Sequence, residues 1–246
     1  MRLPAIIRSI FYTLRFAPAA VTVSALATGF YLVQRVSAGV EFTEGHTFGE
    51  VLTFCFGLHG PLLLKGFVWQ FVTYLFLHGG WWHLALNMLT VLLFGSGLEM
   101  EIGSKRFWTV FILGGALGGL GWVVLDALQP LAAALGPWLS RLLMLRNYSG
   151  VYGTCIGASG GVFALIGAYA ALFPRREVTV LILFFPVRMK ARTLAIFLGI
   201  LTVIEAVVVE SQIAYAAHLA GGVAGYMYGN SLVRRRLLFR LASRER

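Results

Sequence analysis

Long apolar runs, broken by short clusters of Arg, Gly and Pro, dominate this chain and predict its architecture. Six of them approach the roughly 20 residues a helix needs to cross a hydrocarbon core. They run from about Ala17 to Val36, Trp81 to Leu98, Phe107 to Leu128, Cys155 to Phe173, Ala191 to Val209 and Tyr215 to Leu232. Backbone amides in lipid must be satisfied within their own element, so the runs predict helices and set a barrel aside. The expected fold class is therefore all-α, a polytopic membrane protein with a six-transmembrane-helix bundle. No stretch is polar enough for a separate soluble domain, so one membrane domain is expected over residues 1–246, with a core at about 17–232 and short basic termini.

The connections differ in character. About Ser37 to Gly80 is rich in aromatics and glycine, with an apolar middle that predicts partial insertion or lying along the interface. About Gln129 to Thr154 holds Pro130, Pro137 and Trp138 and has room for a short amphipathic helix. Val178 to Pro186 is apolar but too short to cross and ends at a proline, which predicts an interfacial segment. There is no internal repeat or low-complexity region.

Composition agrees with a membrane chain: 59% of the 246 residues are apolar and 12% charged. The net charge of +10 raises the question of a nucleic-acid partner, and the placement of the cations answers it. Counted from an inner amino terminus, Arg2, Arg8 and Arg15, then Lys105 and Arg106, then Arg175, Arg176, Arg188, Lys190 and Arg192 fall on the inner side. Arg234, Arg235, Arg236, Arg240, Arg244 and Arg246 follow the last run on that same side, whereas the outer connections hold Arg35, Lys65, Arg141 and Arg146. That asymmetry orients helices in membranes. It places both termini in the cytoplasm and requires no nucleic acid.

The first run exceeds the roughly 7 to 15 apolar residues of a signal peptide, so it is read as a span, although Ser37-Ala38-Gly39 would suit a cleavage site. The two cysteines, Cys55 and Cys155, both fall toward the outer side, where a disulfide and two free thiols are equally open.

With this topology the second, fourth and sixth runs all enter from the outer side, and His83, Ser159 and His218 each lie in the first turn or two of one of them. A serine hydroxyl becomes a useful nucleophile only when a nearby imidazole takes its proton, and polar groups at membrane depth gain little without a partner. Packing alternatives exist for both residues. Gly153, Gly157 and Gly161 recur every four residues beside Ser159, and Gly221, Gly225 and Gly229 do so beside His218, as in small-residue stripes that let helices approach closely. Such stripes also support a Ser159–His218 dyad, because they bring two helices within hydrogen-bond reach. No third acid is evident: Asp126 is the only aspartate, and no glutamate lies within a turn or two of either residue.

Phe163, four residues after Ser159, shares its helical face and can stack on the imidazole or serve as an ordinary core aromatic. His83 and Asn87 also share a face, a spacing that suits two donors aimed at one developing negative charge, together with the Ser159 amide. His78 falls in the loop before that helix and is read as a loop-supporting residue. No carboxylate or cysteine completes a ligand set with His78, His83 and His218, and His-Glu-x-x-His is absent, so neither metal nor cofactor is expected. Glu205, late in the fifth run, is an ionisable group that either serves function or reaches outer water.

These residues, in this order, resemble the rhomboid family of intramembrane serine proteases. The resemblance covers the six-helix core and rests on His83-Leu84-Ala85-Leu86-Asn87, Gly157-Ala158-Ser159-Gly160 and Ala217-His218-Leu219-Ala220-Gly221 with Gly225. Gly95 to Glu99 is also similar to the family. It implies Ser159 as nucleophile, His218 as base, His83 and Asn87 as oxyanion donors, and Phe163, Gly157 and Gly221 in support. It also implies cleavage in or near the transmembrane helix of another membrane protein, entered beside a mobile fifth span. One departure is Trp69-Gln70 where the family usually carries Trp-Arg, which removes a cation expected to brace the first outer loop. The connection at 129–154 is long for the family.

The expected function is an intramembrane serine endopeptidase in a cytoplasmic membrane, its site opening to the outer face and its partners transmembrane substrates and the bilayer. A pseudoenzyme that binds membrane clients is the alternative. A transporter or channel would place charges in mid-membrane or pair interrupted helices, whereas the polar groups here gather at one end.

Overall fold

The structure, a computed structural model, describes residues 15–43, 45–136, 153–182, 185–208 and 215–243. Its frame is a bundle of long helices: α1 (Pro18–Ser37), α5 (Trp81–Ile102), α6 (Ser104–Leu135), α7 (Ser159–Leu172), α8 (Ala191–Val208) and α9 (Tyr215–Ala242). Short helices α2 (Phe48–Phe56), α3 (Gly60–Leu63) and α4 (Gln70–Thr73) fill the first connection, beside a small ribbon of β1 (Glu41–Thr43) and β2 (His46–Thr47). Each of the six apolar runs contains a helix. Among the described residues Pro18–Ser37, Trp81–Ile102 and Ser104–Leu128 are long and apolar enough to cross a membrane.

α7 is the central helix. From Gly160 to Ala170 every residue except Phe163 is buried, and α5, α6, α8 and α9 all pack against it. A helix that is apolar all round belongs inside a bundle. Phe107, Phe111 and Leu165 lie at the heart of the core.

α7 begins at Ser159 and not near Cys155, four residues later than the apolar run predicts. Cys155 pairs with Leu58 in both directions (2.9 and 3.0 Å), and Gly157 takes φ +128°, so this stretch is extended chain. The expected Gly153, Gly157, Gly161 stripe therefore does not exist as a helix face. The partner stripe does. A Cβ on Gly221, Gly225 or Gly229 would collide with the backbone of Gly160, Ala164 or Ala168, so α9 lies directly against α7.

α1 starts at a proline, which needs no hydrogen-bond acceptor, and its next two amides, Ala19 and Ala20, donate to the buried Glu99 carboxylate at 2.9 Å each. Glu99 thus ties α5 to the start of α1. α2 carries a capping box between Thr47 and Glu50. The segment expected at the interface is a hairpin of β3 (Glu177–Ile182) and β4 (Phe185–Lys190), with Glu177 opposite Lys190 and Val180 opposite Val187. α9 continues ten residues past the predicted end at Leu232, because Arg and Leu sustain a helix beyond the apolar core. Of the 129–154 connection, α6 takes residues through Leu135, and the expected amphipathic helix falls outside the described residues.

Candidate active site

Ser159 opens α7 and His218 stands in the first turn of α9, and the close packing of those helices sets their side chains against each other. His218 Nε2 lies 2.8 Å from Ser159 Oγ. The Phe163 ring, one turn along α7, stacks on the imidazole with centroids 4.4 Å apart and planes 3° from parallel. His218 Nδ1 is buried and has no hydrogen-bond partner, so among the described residues no acid completes a triad.

The loop before Ser159 is shaped by glycine. At Gly157, φ +128° disfavours any L side chain, and an added Cβ would sit 2.5 Å from His83 Cε1. The Gly157 amide donates to Tyr74 O at 2.9 Å, while the buried Tyr74 hydroxyl donates to Gly115 O at 2.7 Å. His83 is thereby held against the backbone just before the serine. Asn87, 6% exposed, donates one amide hydrogen to His83 O at 2.9 Å, which leaves its second hydrogen free. Neither His83 nor Asn87 is hydrogen-bonded to Ser159 in this state.

His78 is buried in the loop entering α5, meets the His83 ring edge-on at 5.1 Å, and accepts the Ala158 N–H at Nε2 (3.4 Å). Burial, reinforced by the neighbouring His83, pushes its pKa down to about 4. Residues 65–235 match the Rhomboid domain family. The chain belongs to the rhomboid family. It is similar to human Rhomboid-related protein 3, 32% identical over 151 residues that cover 61% of this chain and 31% of that protein. It also resembles Rhomboid protein 1, mitochondrial, of Saccharomyces cerevisiae, at 27% identity covering 63% of this chain and 39% of that one. A third relative, the Putative rhomboid protease YdcA of Bacillus subtilis, is 29% identical over 41% of this chain and 39% of its own. The chain thus spans about a third of the length of these relatives. Family and fold together make it a membrane protein in contact with lipid.

The contacts of several groups around this rhomboid site were not legible in the sequence. Gln70 is fully buried. Its carboxamide accepts from His59 N (3.1 Å) and donates to Phe54 O (3.1 Å) and Cys55 O (3.3 Å), while Trp69 Nε1 donates to Cys55 O at 2.9 Å. A neutral amide thus braces the first connection where a cation was expected. Tyr74 and Glu99 act through backbone groups far away in sequence, which no local pattern reveals. Cys55 and Cys155 are both free thiols. Glu205 is half-buried on α8 and forms no ion pair among the described residues. Nor, among those residues, do three His, Cys, Asp or Glu side chains converge as a metal site would require.

Proposed function

We propose that this chain is an intramembrane serine endopeptidase that uses a Ser159–His218 dyad to cut peptide bonds in or near transmembrane helices of other membrane proteins. The 2.8 Å approach of His218 Nε2 to Ser159 Oγ carries the reading. Ser159 Oγ attacks the peptide carbonyl carbon and its proton passes to His218 Nε2. The same proton goes to the departing amine as the C–N bond breaks, leaving an acyl ester on Ser159. Water, deprotonated by His218, then hydrolyses that ester and restores the serine.

The developing oxyanion would be met by the free hydrogen of Asn87, the His83 ring and the Ser159 amide at the start of α7. Phe163 holds the imidazole plane, Gly157 makes room for His83, and Gly221 allows α9 to reach α7. At about 1.5 Å per residue the 14-residue α7 spans roughly 21 Å, less than a hydrocarbon core of about 30 Å. With Arg175 and Arg176 at the far boundary, Ser159 lies below the near one, within membrane depth. The chain just before it is extended and hydrogen-bonds to Leu58 and Tyr74.

The chain is one rhomboid-like domain over 1–246, core about 17–232. It sits in a cytoplasmic membrane with both termini inside, and it needs no metal or cofactor. The test is cleavage of single-span substrates by reconstituted protein, comparing wild type with Ser159→Ala and His218→Ala at equal folding. Loss of cutting in both variants supports the dyad. Cutting retained by folded Ser159→Ala sinks it, and a folded wild type that neither cuts nor labels at Ser159 with a serine-reactive probe is instead a client-binding pseudoenzyme.

A further inference from the structure

At the end of the bundle away from Ser159, the chain between α7 and α8 folds as the β3–β4 ribbon, whose two faces differ. Val178, Val180 and Met189 pack against the core, while Glu177, Thr179, Arg188 and Lys190 alternate with them and are exposed. Such alternation gives a ribbon one dry side and one wet side. It stops at the tip. The last two register pairs, Leu181 with Pro186 and Ile182 with Phe185, are apolar throughout, and Phe185 is 73% exposed.

The base of the ribbon is charged where the tip is apolar. Arg175, Arg188, Lys190 and Arg192 are exposed and form no ion pair among the described residues, whereas Arg176 is held by Glu101 at 2.9 Å. Glu177, the remaining acid at this base, stands opposite Lys190 in the register. Four cations less that one acid leave three positive charges unmatched. No third strand pairs with the ribbon among the described residues, so both outer edges carry backbone N–H and C=O groups that hydrocarbon does not tolerate. The backbone is therefore confined to headgroup depth, and only side chains at the tip can go deeper. Phe185 lies three residues, about 10 Å, from Arg188 along β4, more than the roughly 5 to 8 Å of headgroups on one side of a bilayer.

Charge and apolar tip together narrow the partner. A soluble polyanion would meet the cations and leave the Phe185 ring in water, and a zwitterionic surface would take the ring and leave three charges unanswered. We propose that the β3–β4 ribbon docks on an anionic phospholipid leaflet, with Phe185 and Pro186 reaching the acyl boundary and Arg175, Arg188, Lys190 and Arg192 meeting lipid phosphates. That this leaflet is the cytoplasmic one rests on the topology proposed above, whereas the docking itself does not. β4 runs into α8 without a linker, and Ala191 N–H donates to Arg176 O at 2.9 Å. The seat of the ribbon thus sets the depth at which α8 enters the bilayer.

The test is hydrogen exchange of the full chain in nanodiscs of phosphatidylcholine, with and without about one-third phosphatidylglycerol. Both leaflets carry the same lipid, so the result does not depend on which end is cytoplasmic. Amides of β3 and β4 should exchange about tenfold slower with phosphatidylglycerol, since each Lys or Arg near an anionic surface favours docking roughly fivefold. Exchange over α7 should not change. Arg188→Gln combined with Lys190→Gln should erase the difference between the discs, and Phe185→Ser should speed exchange in both. A photoreactive benzoylphenylalanine at position 185 should form adducts with phospholipid. Equal exchange of the wild type in the two discs overturns the proposal, even where a variant does not fold, and so does a folded double variant that keeps the difference. Adducts with a second copy of the chain in place of lipid make the tip an interface between copies and overturn the leaflet. None of these readouts depends on peptide cleavage, so a chain that does not cut leaves the test intact.

Discussion

The imidazole of His218 lies flat on the ring of Phe163, 4.4 Å between centroids and 3° from parallel, with Nε2 directed at Ser159. Because His218 Nδ1 has no partner among the described residues, in the proposed dyad the stacked ring would take the orienting role that a third acid would otherwise fill. An aromatic pair contributes about 0.5–1.5 kcal/mol beyond burial. Phe163→Leu should therefore lower kcat roughly 3- to 10-fold with little change in KM, and Phe163→Tyr should retain activity. Steady-state cleavage of a reconstituted substrate separates the two. An equal loss in both variants would point to packing and not stacking.

Gly157→Ala should be more damaging than its size implies. Its φ of +128° costs an alanine on the order of 1–3 kcal/mol, and the new methyl would press on His83. Both the presentation of Ser159 and the placement of His83 depend on this turn. Cleavage should fall at least tenfold while helical content persists, as circular dichroism would report. Near-wild-type cleavage by the variant would remove His83 from the proposed oxyanion site.

Much of this arrangement can be read from residue order. Apolar runs place the helix starts within a few residues, and Ser159 and His218 stand together as their shared depth suggests, with Phe163, for which stacking and ordinary core packing were both open, laid on the imidazole. The misplaced start of α7 has a physical cause: Cys155 to Ala158 are as apolar as the helix that follows, so hydropathy cannot see that Leu58 captures Cys155 as a bridge. The hairpin at β3 and β4 is partly legible: Glu177-Val178-Thr179-Val180 and Val187-Arg188-Met189-Lys190 alternate polar and apolar residues, and the apolar stretch between them obscures the pattern. Thr47 and Glu50, by contrast, spell a capping box that the sequence does display. Contacts such as Glu99 to Ala19 join residues 80 apart and carry no local signature.

Gln70 should prove structural. Gln70→Ala leaves His59 N–H and the Phe54 and Cys55 carbonyls without its amide, and each buried group left unsatisfied costs about 1–3 kcal/mol. A clear drop in the thermal midpoint in detergent is expected. Gln70→Glu keeps the acceptor for His59 but loses both donors, so its midpoint should fall between the two. A midpoint unchanged by Gln70→Ala would show that the first connection is braced elsewhere.

Glu99 joins three elements: it accepts from Ala19 and Ala20 at the start of α1 and from Ser104 Oγ, 2.6 Å away at the start of α6. A carboxylate at a helix N-terminus gains from both hydrogen bonds and the helix dipole. Glu99→Gln retains one acceptor oxygen and should cost about 1.5–3 kcal/mol, the range for a hydrogen bond to a charged group. Glu99→Ala should cost more and loosen α1. Hydrogen exchange over Ala19 to Val23 would report this directly, and unchanged protection there would refute the tie.

His78 predicts a pH dependence with a definite sign. Its pKa in the fold, about 4, lies below the ordinary histidine value of about 6.5, so the unfolded chain takes up the proton first. The stability held by the neutral ring is complete above about pH 6.5, declines as pH falls toward 4, and levels off below. The gap corresponds to about 3 kcal/mol at most. Protonation would also replace the lone pair at Nε2 with a donor facing the Ala158 N–H, which pushes apart the loop before Ser159. His78→Gln can accept that amide through its carboxamide oxygen but cannot titrate. Between pH 7 and pH 4.5 the wild type should lose more thermal stability than His78→Gln, whereas parallel losses would assign the acid sensitivity to other groups.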